Sequence, residues 1–107
     1  MYLLRRIFKC KPGEARRVAS LVQKQAQAFE EAGQRSECRV YFNGATTPSE
    51  PDTVVLEWTD ETLRSTMRAG LQLPQAVREI GGQVAQLTEG NRIEIMELMT
   101  PDKMLDV

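Results

Sequence analysis

At 107 residues the chain has room for one hydrophobic core and not for two. Apolar residues make up 41% and charged residues 27%, the balance of a chain that folds. A net charge of −1 excludes a general polyanion-binding surface, so neither nucleic acid nor membrane is expected as a partner. The sum hides an asymmetry, because residues 1–40 carry nine Lys or Arg against four Asp or Glu (+5) and residues 41–107 carry five against eleven (−6). Complementary charges within one fold or across a dimer account for this more simply than a dedicated anion site. No run approaches the roughly 18 apolar residues of a spanning helix. The basic residues of MYLLRRIFKCKPG sit inside a short apolar stretch rather than ahead of a long one, so a secretion signal is not expected and a cytoplasmic location is. Cys10 and Cys38, without short spacing, read as reduced thiols.

Residues 2–10 alternate as a strand with Leu4, Phe8 and Cys10 on one face, Leu3 and Ile7 on the other, and an arginine on each, Arg6 and Arg5 respectively. Such a strand is central, with something packed on both sides. From Gly13 to Ala32, Val18, Leu21, Val22, Ala26 and Phe29 recur at helical spacing, and Gly33 supplies a left-handed stop. A second strand is predicted over residues 35–43 and a third over residues 53–58, joined by the turn-rich loop GATTPSEPD. Thr59 and Asp60 have the chemistry of helix caps, which predicts a second helix that carries Leu63 and Met67, weakens at Gly70 and resumes at Pro74 with Val77, Ile80, Val84 and Leu87. Inside it Gly81-Gly82 costs about 2 kcal/mol relative to alanines and marks a bend or a close approach to the sheet. A phosphate-cradling turn is rejected there, since no strand precedes the pair and no Gly-rich fingerprint accompanies it. Gly90-Asn91 ends the segment, and residues 92–99 alternate as a fourth strand before a short tail, 101–107.

The order βαββαβ over residues 1–100 is that of a single ferredoxin-like α+β domain, because right-handed crossovers put both helices on one side of a four-stranded antiparallel sheet. Strands one and three become central. The other side of the sheet then carries apolar residues, and a second copy of the chain is expected to cover it. In the tail, Met104 and Leu105 either fray or pack on that copy.

Two short stretches add to this outline: KPG at Lys11–Gly13 ahead of the first helix, and EWTDETL from Glu57 to Leu63. On these, and on the element order of nearly the whole chain, the sequence resembles the dimeric α+β barrel superfamily, which includes antibiotic-biosynthesis-type monooxygenases, haem-degrading relatives and NIPSNAP-type domains. The resemblance implies a homodimer that binds a small aromatic or anionic molecule, in a pocket between sheet and helices or in the barrel. Its alternative implication is a cofactor-independent monooxygenase-like or isomerase-like enzyme. No cofactor or metal is implied, and no residue is assigned a catalytic role. Histidine is absent altogether, which removes the iron ligand of the haem-degrading relatives along with His-based bases and the usual zinc sets. The cofactor-free relatives position a phenolic substrate with Asn, Trp, Tyr and Arg, and residues of those types on strands here are Arg6, Tyr41, Asn43 and Trp58.

Each candidate has a plainer reading. A tryptophan at the end of a central strand reads first as a core anchor and second as a substrate platform. Tyr41 on an edge strand points to a pocket or to water. Arg5 or Arg6 either pairs with Glu57 in the dimer interface or receives a ligand's carboxylate or phenolate. Cys10 and Cys38 fall in strand interiors and read as inert.

Overall fold

The computed structural model describes residues 1–63 and 72–107. Its elements run β1 (Tyr2–Cys10), α1 (Ala15–Glu31), β2 (Arg39–Asn43), β3 (Thr53–Asp60), α2 (Gln75–Leu87) and β4 (Thr88–Glu97), followed by a 3-10 turn at Pro101–Lys103. The four strands form one antiparallel sheet in the order β2-β3-β1-β4, with β1 and β3 at its centre, as the crossover argument requires.

Register decides what each strand contributes. Leu4, Arg6 and Phe8 lie opposite Trp58, Leu56 and Val54, so these six share the helix-facing side, while Arg5 and Ile7 lie opposite Glu57 and Val55 on the other. Val54 and Leu56 are fully enclosed against the α1 stripe of Ala15, Val18, Ala19, Val22 and Ala26. Alanines at three of these positions leave little bulk between helix and sheet, which brings Val18 and Val22 close against the strands. Gly33 ends α1 at φ 68° as expected, and the Gln34 N–H reaches back to the Phe29 carbonyl at 3.0 Å.

Four element boundaries differ from the sequence reading. β2 begins at Arg39 rather than residue 35, because the Cys38 N–H bonds the Glu30 carboxylate at 2.6 Å instead of a strand, and Ser36 Oγ donates to the Thr59 carbonyl at 2.6 Å. β3 continues through Thr59 and Asp60, which pair with Leu3 and Tyr2, so ladder hydrogen bonds override their capping chemistry. Asp60 still accepts the Thr62 N–H at 3.2 Å, but Leu63 is exposed and not helical, and α2 begins only after Pro74. Met67 and Gly70 lie outside the described residues. β4 starts directly at the end of α2 and takes in Gly90-Asn91, with a one-residue irregularity opposite Lys9 and Cys10.

The glycine pair sits inside α2. A Cβ on Gly81 would lie 3.5 Å from Gln25 Nε2 on α1, so its neighbour is the other helix and not the sheet; one on Gly82 would meet nothing within 4 Å. Among the described residues no helix is long and apolar enough to cross a membrane.

Both cysteines are buried and free. Burial, with Asp52 and Glu14 nearby, pushes the Cys10 thiol up to about 11. Burial also raises Cys38 to about 11; Arg35 opposes the shift and Glu30 adds to it. Replacing Gly82 with Ala is expected to raise unfolding stability by about 1 kcal/mol in urea titrations, since it removes backbone entropy from the unfolded chain without a clash. Because both thiols hold their proton more tightly folded than unfolded, stability is expected to be flat with respect to them below pH 9 and to fall as pH rises toward about 11. A Cys10→Ala/Cys38→Ala double variant should show a shallower fall in thermal melts over that range.

Candidate functional site

Helices and sheet do not close fully. A cleft of about 490 Å³ opens between α1, α2 and the strands, within the size range of small-molecule sites. Phe8 and Leu56 form its floor, Phe29 and Gln25 the α1 wall, and Val77, Gly81 and Val84 the α2 wall; Thr88 to Asn91 close one end. Gln25 Nε2 ties the two walls by donating to the Val77 carbonyl at 3.1 Å.

Two guanidinium groups line this apolar space. Arg6 rises from β1 and donates through Nη1 to Asn91 Oδ1 at 2.7 Å. Arg35 follows the Gly33 turn, which folds the chain back so that its guanidinium carbon lies 3.7 Å from the Phe29 ring centre and 4.2 Å from that of Trp58. Burial, and to a lesser degree the positive charge of Arg6, pushes Arg35 down to about 10, while Cys38 acts the other way. It therefore stays charged at neutral pH. Among the described residues no carboxylate forms an ion pair with it. Among the described residues the one carboxylate of the lining, Glu89, is 3.6 Å from Lys9 Nζ.

The four candidates from the sequence divide between the two sides of the sheet. Arg6 lines the cleft. Trp58 shares its side but is a buried core residue that backs Arg35 rather than lining the space. Tyr41 and Asn43 pair with Val55 and Thr53, which puts them on the opposite side. There Asn43 is buried and its amide is consumed by the β2–β3 loop: Nδ2 donates to the carbonyls of Glu50 at 2.9 Å and Thr47 at 3.3 Å, and Oδ1 accepts the Thr47 hydroxyl at 2.6 Å. It has no donor left for a ligand in the cleft.

Arg35, the first residue of the predicted second strand, lies instead in the bend before β2. The available signal was an arginine two residues beyond a helix-stopping glycine and six beyond an aromatic on the buried stripe, a spacing that returns the side chain over that ring. Gln25 and Asn91 gave no signal, because each acts through a partner distant in the chain.

The side away from the helices is mixed rather than uniformly apolar. Ile7 is buried and Leu3 and Val55 are half-buried, but Arg5 lies among them, 3.2 Å from Glu94 and 3.7 Å from Glu57. Of the two β1 arginines, Arg5 is thus the one that pairs with Glu57. Large exposed apolar side chains gather instead on β4 and beyond it: Ile93, Ile95, Met96, Leu98, Met99 and Met104.

No protein-family model matches the chain, and no curated protein does. Solved structures are similar to it. A protein from Agrobacterium tumefaciens aligns at TM-score 0.70 and 19% identity over 98% of this chain and 100% of its own. An uncharacterised NIPSNAP domain protein from Burkholderia xenovorans aligns at 0.68 and 13%, covering 94% of this chain and 97% of the other. An antibiotic biosynthesis monooxygenase aligns at 0.65 and 10%, covering 94% and 100%. Identities this low carry the fold and leave the activity open. The chain has the ferredoxin-like α+β fold that it shares with these NIPSNAP and antibiotic biosynthesis monooxygenase structures.

Proposed function

We propose that the protein binds a small aromatic anion in the cleft between sheet and helices, with the ligand's carboxylate or phenolate on Arg35 and Arg6 and its ring against Phe8, Phe29 and Val77. The observation that carries this is Arg35: a largely desolvated guanidinium beside an apolar cavity, braced by two aromatic rings and lacking a carboxylate partner among the described residues. A cation removed from water needs a counter-charge, and a bound anion supplies one with the planar geometry that a guanidinium recognises. Trp58 and Asn91 serve as positioning residues behind Arg35 and Arg6.

The alternative is a cofactor-independent monooxygenase-like or isomerase-like enzyme working in the same cleft. The fold shared with an antibiotic biosynthesis monooxygenase supports it, at the level of fold alone. Oxygen uptake with a hydroquinone probe separates the two readings: binding without uptake leaves a binding protein, whereas uptake that Arg35→Met abolishes favours the enzyme.

We also infer a homodimer, and a cytoplasmic setting in which both thiols stay reduced. Exposed apolar side chains on both sides of β4 and in the tail support the dimer, since a lone protein in water rarely leaves so many uncovered together.

Trp58 lies against Arg35, so its fluorescence is expected to report binding of benzoate or salicylate. Arg35→Met should weaken that binding by about tenfold or more, as expected for loss of a charge-assisted contact, and should leave any binding of neutral benzyl alcohol unchanged. Binding should also fade as pH rises through about 10, where Arg35 loses its proton. Equal affinity in wild type and variant would sink the proposal. Light scattering at micromolar concentration should give twice the mass of one chain, and a clean monomer would overturn the dimer.

A further inference from the structure

The two arginines of the cleft are anchored to different strands. Arg35 reaches it from the bend after α1 and stacks over Trp58 of β3, whereas the Arg6 guanidinium is drawn to Asn91 of β4. β3 and β4 flank β1 on opposite sides, so the backbones of these two anchors are two strand spacings apart, about 10 Å. They also differ in level, since Trp58 lies on the ladder opposite Leu4 and Asn91 opposite Phe8. The floor between them is apolar, made by Leu56 and Phe8. Among the described residues neither Arg35 nor Arg6 forms an ion pair, and Glu89 already has Lys9 as its partner. Asn91 takes one N–H of Arg6 and brings no charge. The cleft thus presents two cations, one on each side of a hydrophobic strip, and no anion of its own for either.

We propose that the ligand of this cleft is an aromatic dicarboxylate with its acidic groups at opposite ends of the ring, one carboxylate on Arg35, the other on Arg6, and the ring over Leu56 and Phe8. The inference rests on the binding reading above and adds the second acidic group to the ligand. A lone carboxylate on Arg35 leaves Arg6 facing the same cavity without a counter-charge. The two cations also oppose each other, because the positive charge of Arg6 is one of the influences that push Arg35 down. A dianion answers both, each carboxylate meeting a guanidinium through the flat two-point contact that suits the pair. A ring between the acidic groups fixes their separation in advance, so little freedom is lost on binding, and it covers the apolar floor that a hydrated ion leaves bare. Adjacent carboxylates do not meet this arrangement, since both then reach the same anchor.

Titration calorimetry with benzoate, terephthalate, phthalate and 4-carbamoylbenzoate tests this, the last being terephthalate with one carboxylate replaced by a neutral amide of the same shape. Terephthalate should bind about tenfold or more tighter than benzoate, as expected for a second charge-assisted pair. The amide should bind no tighter than benzoate, because it lacks the second charge, and neither should phthalate, which carries that charge in the wrong place. Arg6→Met should bring terephthalate down to the affinity of benzoate, whereas Arg35→Met should weaken both. If Arg6→Met does not fold by circular dichroism, the probe series on the wild type carries the test. Terephthalate binding no tighter than benzoate, or phthalate or the amide binding as tightly as terephthalate, overturns the two-anchor ligand while leaving the binding reading. Failure of every probe to bind overturns both.

Discussion

Two consecutive arginines in β1 must point to opposite sides of the sheet, and the pairing of β1 with β3 determines which goes where. With Leu4 opposite Trp58 and Phe8 opposite Val54, Arg6 joins the apolar side under the helices and Arg5 joins the side with Glu57. A slip of one residue exchanges every side chain between the faces and is blocked by the burial of Leu4, Phe8, Val54, Leu56 and Trp58 together. The cleft cation and the charged row of the open face are therefore consequences of one register, held by one hydrophobic cluster.

The two arginines meet different electrostatic settings as a result. Arg5 has two carboxylates within reach and spends its charge inside the sheet face. Arg6 has a neutral amide, Asn91, and a second guanidinium for company, so the cleft keeps a surplus of positive charge in a space walled by rings and aliphatic groups. The chain's overall charge is near zero and conceals this. What matters for a ligand is the local balance, and there the positive groups prevail.

Much of the architecture was legible in the residues. Period-two alternation in β1 and β3, the helical stripe through Val18, Val22 and Phe29, and the stop at Gly33 sufficed to order the elements and to place β1 and β3 centrally. The start of the second helix was not, because Thr59 and Asp60 have good cap chemistry but are claimed by strand partners fifty or more residues away in the chain. The site was half legible. Arg6 and Trp58 are on the helix side as strand residues, yet nothing local distinguishes Tyr41 and Asn43 from them; their side of the sheet follows from the length of the bend before β2, which Glu30 and Ser36 fix through long-range hydrogen bonds. Arg35 was hidden for the same reason, since its role depends on where that bend lays it.

No loop separates α2 from β4: Leu87 ends the helix and Thr88 begins the strand. The wall of the cleft and the sheet edge that carries Arg92 and Glu94 are one continuous stretch of backbone, so a displacement of α2 that widens the cleft must pull on that edge. The irregularity opposite Lys9 and Cys10 is the place in the ladder with slack to absorb it. A shift of α2 therefore reaches this junction ahead of Arg92 and Glu94, whose pairing with Ile7 and Arg5 lies beyond it.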